Sequence, residues 1–446
     1  MTENARPRRH STHVQETTKV LSTVLAPTVA RGAIVRRPSG EGLVAALNAD
    51  QRSVEVLREL RRRHGDDPLP LGYTGRRIAL VLSPEDVRRL LLETPETFSP
   101  GGAEKRGALT HFQPHGALVS DHGNRPDRRR ANEEALALGE RLHPDAVTLA
   151  EHADEEARSL IRALRDAGTL SGVLDWARFS ETFDALARRV VFGSQAARDR
   201  RTTELLRALR RRANWSYALP PAHARRGEFL DRVRANIDRA APGSLAARLG
   251  RPGSIERPED QIAHWLFAFD AAAVATFRSL AVLTSTGPDV EAVWAEALAE
   301  DGPDLPMLRA TLRESVRLWP TTLVVIREST RETSWRERSI PPGTAFLVLS
   351  SYFHRDPTRL SYADAFAPSI WSDGRAEKEP GILPFSYGPA GCPGRDLVPL
   401  TVSYLLRGLL RDGHLRRVDR SPALRTEALP ASLNHFNLQL TLTASQ

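Results

Sequence analysis

The stretch that decides the reading is FSYGPAGCPGRDLV, Phe385–Val398. It holds Cys392, the only cysteine in 446 residues. Gly388, Gly391, Gly394, Pro389 and Pro393 surround that thiol, and the apolar run LVPLTVSYLLRGLL follows. A cysteine that only fills a core sits more naturally inside a helix or strand. The thiolate is the metal-binding form of cysteine, and a helix N-terminus stabilises it through unpaired N–H groups and the positive end of the dipole. Pro393 is tolerated in a first helical turn, whereas Pro399 makes the start of the following helix irregular. The glycines allow tight turns and close approach of backbone to something flat and bulky. The stretch therefore reads as a loop holding a thiolate at a helix start.

One cysteine excludes an intramolecular disulfide and any zinc site built from cysteine pairs, and it suits a reducing cytoplasm. Hydrophobic residues make up 41% and charged residues 26% of the chain, the balance of a soluble globular protein. The net charge is +8, and Lys19, Lys105 and Lys378 are the only lysines, so the basic excess is arginine. Segments such as LRELRRRHG and LLRALRRRAN read as solvated helix faces, with a docking face for an acidic protein as the alternative. No nucleic-acid-binding motif accompanies the charge. The apolar segment Trp265–Leu283 carries Asp270 and Arg278, which a membrane span rarely tolerates. The stretch Val20–Ala30, broken by Pro27, makes a poor signal peptide.

Along the chain, residues 1–40 read as a loose, flexible N-terminal arm and 41–446 as one large domain. Helical periodicity dominates: about 42–64, 84–93, 125–140, 145–167, 180–192, 201–213, 226–240, 258–286, 290–299 and 305–319. Ser83-Pro84 marks a helix start. Strand signals are IALVLS before it, LVVIR at 323–327, FLVLS at 346–350 and the alternating NLQLTLT near the C-terminus. The fold class is mainly α with a small β part.

The spacing Phe385-x-x-Gly388-x-x-x-Cys392-x-Gly394 resembles the haem-binding loop of the cytochrome P450 family. A second signature lies 78 residues upstream of the cysteine, where LRESVRLWP places Glu314 and Arg317 at i, i+3 on one helix face. It resembles the family's Glu-x-x-Arg pair, which braces the core behind the haem loop. The resemblance implies the cytochrome P450 fold, haem b as cofactor and Cys392 as the axial iron ligand, whose electron push favours O–O cleavage. It further implies haem contacts from Phe385, Gly388 and Gly394, and a propionate contact from Arg327 in the strand that follows.

The chain departs from the family in five places. Two residues before the cysteine the family usually carries Arg or His; here it is Ala390. DHGNRPDRRRANEEAL resembles the helix with a His-x-x-x-Arg propionate pair, which places Arg125 and Arg129 at those positions; Arg128 and Arg130 are equally available as solvated charges. FAPSIW lacks the arginine that completes the Glu/Arg brace and has Trp371 nearby. Over the haem, the family's Ala/Gly-Gly-x-Asp/Glu-Thr reads Ala272-Ala273-Val274-Ala275-Thr276. Small Ala272 and Ala273 suit a helix lying close on a haem, and Thr276 is retained for proton delivery, but the acid is replaced by Ala275. Asp270, about 120° away around the helix, does not share the face of Thr276. His354, where the family often has Asn, has no role legible in the sequence.

By resemblance, the expected activity is that of a haem-thiolate monooxygenase. It would oxidise a mid-sized, mainly apolar organic substrate, a natural-product intermediate, with dioxygen. Electrons would come from a separate ferredoxin and ferredoxin reductase, since no flavin or iron–sulfur segment is legible. The alternative is a haem-thiolate enzyme of other chemistry: peroxide-driven oxygenation, dehydration or oxidative coupling. Family analogy puts substrate against the loop Thr110–His115, the tip Trp215–Pro221, Phe269, Ala273, Leu323, Val324 and Leu433 to Phe436. The expected protein is a cytoplasmic monomer without nucleic-acid or membrane partners.

Overall fold

A computed structural model describes residues 14–442, apart from 73–74, 121–122, 169–171, 250–254 and 300–301. The main elements are α1 (Pro38–Ala46), α2 (Ala49–His64), β1 (Leu69–Leu71), β2 (Ile78–Leu80), α3 (Pro84–Leu92), β3 (Phe98–Ser99), α4 (Ala103–Leu109), α5 (Arg125–Ala135), α6 (Ala146–Asp166), β4 (Val173–Leu174), α7 (Trp176–Phe192), α8 (Arg200–Ala213) and α9 (His223–Ile237). Then come α10 (Pro258–Leu283), α11 (Pro288–Leu298), α12 (Pro306–Leu318), β5 (Val324–Ser329), β6 (Thr333–Trp335), β7 (Arg338–Ile340), β8 (Ala345–Leu349), α13 (Leu397–Gly413), β9 (Leu415–Arg417) and β10 (Leu440–Leu442).

The long helix α10 is apolar nearly all round because it is the centre of the helical core. It packs on α7, α9, α12 and α13, and residues Ala272–Leu283 are all buried. It is long and apolar enough to cross a membrane, yet most of it lies inside the protein. A second core forms between the N-terminal helices and a five-stranded sheet of order β1-β2-β8-β5-β3. Strand β8, AFLVL, is buried on both faces, paired parallel to β2 and antiparallel to β5. A smaller sheet joins β4, β10 and β9.

Three expectations change. The N-terminal segment is not a loose arm throughout: residues 1–13 lie outside the described chain, but 14–31 are helical. Val20 and Val24 are buried in the sheet-side core, and the Gly72 N–H donates to Thr17 Oγ1. Asn214, at the end of α8, then clasps the connection to α1. Its Oδ1 accepts from the N–H groups of Ile34 and Val35, and its Nδ2 donates to the Val35 carbonyl, while Arg37 lies over the Trp215 ring. The expected helix 42–64 is two helices, because Asn48 takes a left-handed conformation with φ 48°. The alternating C-terminal segment forms a strand only at Leu440–Leu442, where β9 and β4 give it partners.

Candidate active site

The cysteine loop is closed by its own backbone. The Cys392 N–H donates to the Phe385 carbonyl (2.8 Å) and the Gly391 N–H to the Gly388 carbonyl (2.9 Å). Gly388 has φ +72°, and a Cβ there would collide with the Leu91 carbonyl oxygen at the end of α3. Only glycine fits, so the motif's spacing has a steric cause. Helix α13 does not begin at Cys392: a turn over residues 393–396 intervenes, and the helix starts at Leu397. Pro399 has no N–H for the Arg395 carbonyl, which defers the regular helix.

Cys392 is a free thiol and is half-buried. Burial pushes its thiol up, opposed by the Gly394 N–H and by the charges of Arg129 and Arg395. A bound metal ion reverses that balance, since a coordinating thiol is deprotonated outright.

Behind the loop, Glu314 and Arg317 are fully buried. Arg317 Nε and Nη2 donate to Glu314 at 2.8 and 2.6 Å. The rest of the guanidinium donates to the carbonyls of His354, Ala363, Tyr362 and Ala365. Glu314 accepts the Ala367 N–H and the Trp371 indole N–H. Every polar atom of the pair is thereby satisfied, the condition under which a buried ion pair is tolerable. His354 extends the brace: Nδ1–H donates to the Arg317 carbonyl (3.2 Å), and Nε2 accepts the Leu383 N–H (3.0 Å). Burial and the Arg317 charge push it down to about 3, so the ring is neutral and links α12 to the chain entering the cysteine loop.

Above the loop, α10 presents one stripe that is not closed off: His264, Phe267, Ala268 and Ala271, at i, i+3, i+4 and i+7. Phe267 meets the Phe112 ring from the loop after α4, and Arg210 of α8 lies over it. Gln113 Nε2 donates to His264 Nδ1 at 2.8 Å, so His264 Nε2 carries its proton. Burial and then Arg129 push this ring down to about 4. Phe269, in contrast, is buried against Phe183 of α7. The apolar pattern of α10 hides its phase, and of the two phenylalanines Phe267 is the less buried.

Thr276 is fully buried and its hydroxyl donates to the Ala272 carbonyl (2.7 Å). Ser315 of α12 and Ser279 both donate to the Ala275 carbonyl, which fixes the rotation of α10 beside Thr276. Asp270 is paired with Arg210 of α8 and does not reach Thr276. Ala272 and Ala273 are buried on the same turn. Leu323 and Val324 are half-buried at the start of β5; Leu433 is buried, and its carbonyl accepts from Arg278 Nε.

The arginines separate by their partners. Arg129 Nε donates to Glu133 and Nη1 to the Gly391 carbonyl, anchoring α5 to the cysteine loop. Arg128 donates to Ser120, and Arg130 pairs with Asp127 at the surface. Arg327 is buried; its Nε donates to Thr94 Oγ1 and its Nη1 to the Ile326 carbonyl. Burial and repulsion from Arg125 push Arg327 down to about 10. Arg125 is lowered as well, by burial and by Arg129, and its Nε is buried with no partner. A buried and a half-buried cation in one another's field call for anions. A free half-buried thiol, a glycine cradle and these cations fit a haem bearing two carboxylates. Lys105 lies in the same field; its place in the sequence carried no signal beyond the rarity of lysine.

The fold and this cradle are those expected of a haem-thiolate protein. Residues 295–424 match the sequence profile of the family Cytochrome P450. Cyclooctat-9-en-7-ol 5-monooxygenase from Streptomyces melanosporofaciens is 31% identical over 159 residues, 33% of this chain and 34% of that protein. Cytochrome P450 11B1, mitochondrial, from Ovis aries is 30% identical over 159 residues, 33% and 31% of the two chains. The chain thus spans about a third of the length of these curated relatives. Crystal structures share its fold: that of a cytochrome P450 (CYP102L1) with TM-score 0.68 and 17% identity, over 88% of this chain and 98% of the other. That of CYP175A1 from Thermus thermophilus has TM-score 0.65 and 22% identity, over 90% and 97%. Residues 295–424 thus match the cytochrome P450 family, the chain as a whole shares the fold of its members, and the cofactor of that family is haem b.

Proposed function

We propose that the protein is a monooxygenase acting on a mid-sized, mainly apolar organic molecule, a natural-product intermediate, with dioxygen and electrons from a separate ferredoxin and ferredoxin reductase. The observation that carries this reading is Cys392 in its glycine cradle beside the open stripe of α10, Arg129 lying in the field of both Cys392 and His264. Bound haem supplies the oxygen-activating chemistry. Cys392 would be its axial ligand, with Phe385, Gly388 and Gly394 shaping the loop and Arg125, Arg129 and Arg327 facing its carboxylates. Phe267, Ala268 and Ala271 offer an apolar wall to a substrate. The His264 Nε2–H offers one donor, so a carbonyl or hydroxyl oxygen on the substrate has a partner. Thr276 holds a hydroxyl proton on the Ala272 carbonyl, where it can pass to a water or a substrate group. Arg88 and Arg395 flank the cysteine loop with exposed charge, which suits an acidic electron donor. A cytoplasmic monomer fits this scheme.

A second reading, peroxide-driven oxygenation or another haem-thiolate chemistry, is favoured by one observation. Ala275 replaces the acid beside Thr276, and Asp270 is tied to Arg210.

The test begins with the purified protein. Its ferrous carbon monoxide complex should show the red-shifted Soret band of a thiolate-ligated haem, lost in Cys392→His. Turnover of a natural-product panel is then compared with ferredoxin, reductase and labelled dioxygen against hydrogen peroxide alone. Label in the product under the first condition supports the proposal. Product under peroxide only overturns it in favour of the second reading, and an unshifted Soret band overturns both.

A further inference from the structure

Ala390 leaves the cysteine loop without the cation that the haem reading calls for there, while a lysine outside any recognised motif sits beside Arg125 and Arg327. Strand β3 pairs antiparallel with β5, Phe98 opposite Ser329 and Ser99 opposite Glu328. The chain turns immediately and runs into α4, which carries Lys105 back over β5. Lys105 Nζ donates to the Pro100 carbonyl (2.9 Å) and the Ile326 carbonyl (3.2 Å), the latter one residue from Arg327.

No carboxylate among the described residues pairs with Lys105, Arg125 or Arg327. The adjacent acids are engaged elsewhere, since Arg76 bridges Glu104 and Glu328. Burial and the charges of Arg327 and Arg125 push Lys105 well down, with Glu104 opposing. Lys105 is half-buried, within the field of Arg327 and Arg125. An ammonium with two carbonyl acceptors has one N–H left. Three cations from α4, α5 and β5 thus converge where an anion would relieve their mutual repulsion.

We propose that Lys105 supplies the cation missing at Ala390, and that it binds a haem carboxylate together with Arg125 and Arg327. This rests on the haem reading above. The carboxylate-binding site has moved from the cysteine loop to α4.

The experiment measures haem loss from the holoprotein into excess apomyoglobin. Lys105→Met should speed haem loss about tenfold, the loss of one charge-assisted hydrogen bond. Lys105→Arg should stay near the wild type, and Ala390→Arg in the Lys105→Met background should restore retention. Lys105→Gln, with its thermal melt, separates a local effect from misfolding. Haem loss from Lys105→Met and Lys105→Gln within twofold of the wild type, while Arg327→Met is fast, overturns the proposal. So does unchanged haem loss with abolished spectral binding of decanoic acid, which would assign the lysine to a substrate carboxylate. A wild type purified without haem would instead fail the underlying reading.

Discussion

The indole N–H of Trp371 donates to Glu314 Oε2 at 3.1 Å. A neutral donor thereby stands where the family's pattern supplies a third charge, and Ile370, at the position of the missing arginine, is fully buried. The brace needs a hydrogen on that oxygen more than it needs a cation, because Arg317 already neutralises the carboxylate.

Trp371→Phe keeps the bulk and removes the donor. A buried carboxylate oxygen left short of a partner costs roughly 1–3 kcal/mol, read as a lower midpoint in chemical denaturation. Trp371→His, which can present a ring N–H, should recover part of that loss. Equal stability of Trp371→Phe and the wild type would show that the indole only packs.

His354 makes stability depend on acid. Its folded pKa, about 3, lies below the unfolded value near 6.5. The neutral ring's contribution is therefore complete above pH ~6.5 and is lost as pH falls towards 3. His264, at about 4, adds to the same trend. Each group steepens the profile by up to ~1.4 kcal/mol per pH unit in that window. Denaturation midpoints of His354→Asn between pH 7 and 4.5 should fall less steeply than those of the wild type; a parallel profile would remove His354 from the account.

Phe267 and Phe269, two residues apart, should separate function from stability. Phe269→Ala empties a packed position against Phe183 and should cost about 3–5 kcal/mol with little change in substrate affinity per folded molecule. Phe267→Ala should be nearly silent in stability and change substrate-induced spectral shifts. The reverse pattern would mean that α10 faces the chamber with its other side.

Thr276→Ala removes the only hydroxyl in the Ala272–Thr276 turn. Reductant consumption should continue while product formation falls, so the ratio of product to reductant drops severalfold. Thr276→Ser should retain most of the coupling. Unchanged coupling in the alanine variant would place proton delivery elsewhere, as the second functional reading requires.

The cysteine loop and the Glu314–Arg317 pair were legible in the sequence because each is a local pattern with a steric or electrostatic cause. Gly388 has no room for a Cβ, and i, i+3 spacing puts Glu314 and Arg317 on one helix face. Which side of α10 is more open was not legible, because a helix buried nearly all round carries no phase in its hydrophobicity. Trp371 and Lys105 were opaque for another reason. Their partners are 57 and 221 residues away in sequence, so only the folded chain brings them together. The N-terminal segment looked loose because its few apolar residues find their partners in α2 and the sheet.

The Asn214 clasp has a mechanical consequence. With three hydrogen bonds joining one side chain to the backbone at residues 34 and 35, the end of α8 moves as one body with the N-terminal segment, whose own anchors are Val20 and Val24 in the sheet-side core. A roof pinned at that corner cannot lift there. Where α9 meets the loop that carries Phe112 and Gln113, by contrast, Arg226 donates to the Thr110 carbonyl, a lone bond of the kind that breaks more easily than the triple clasp.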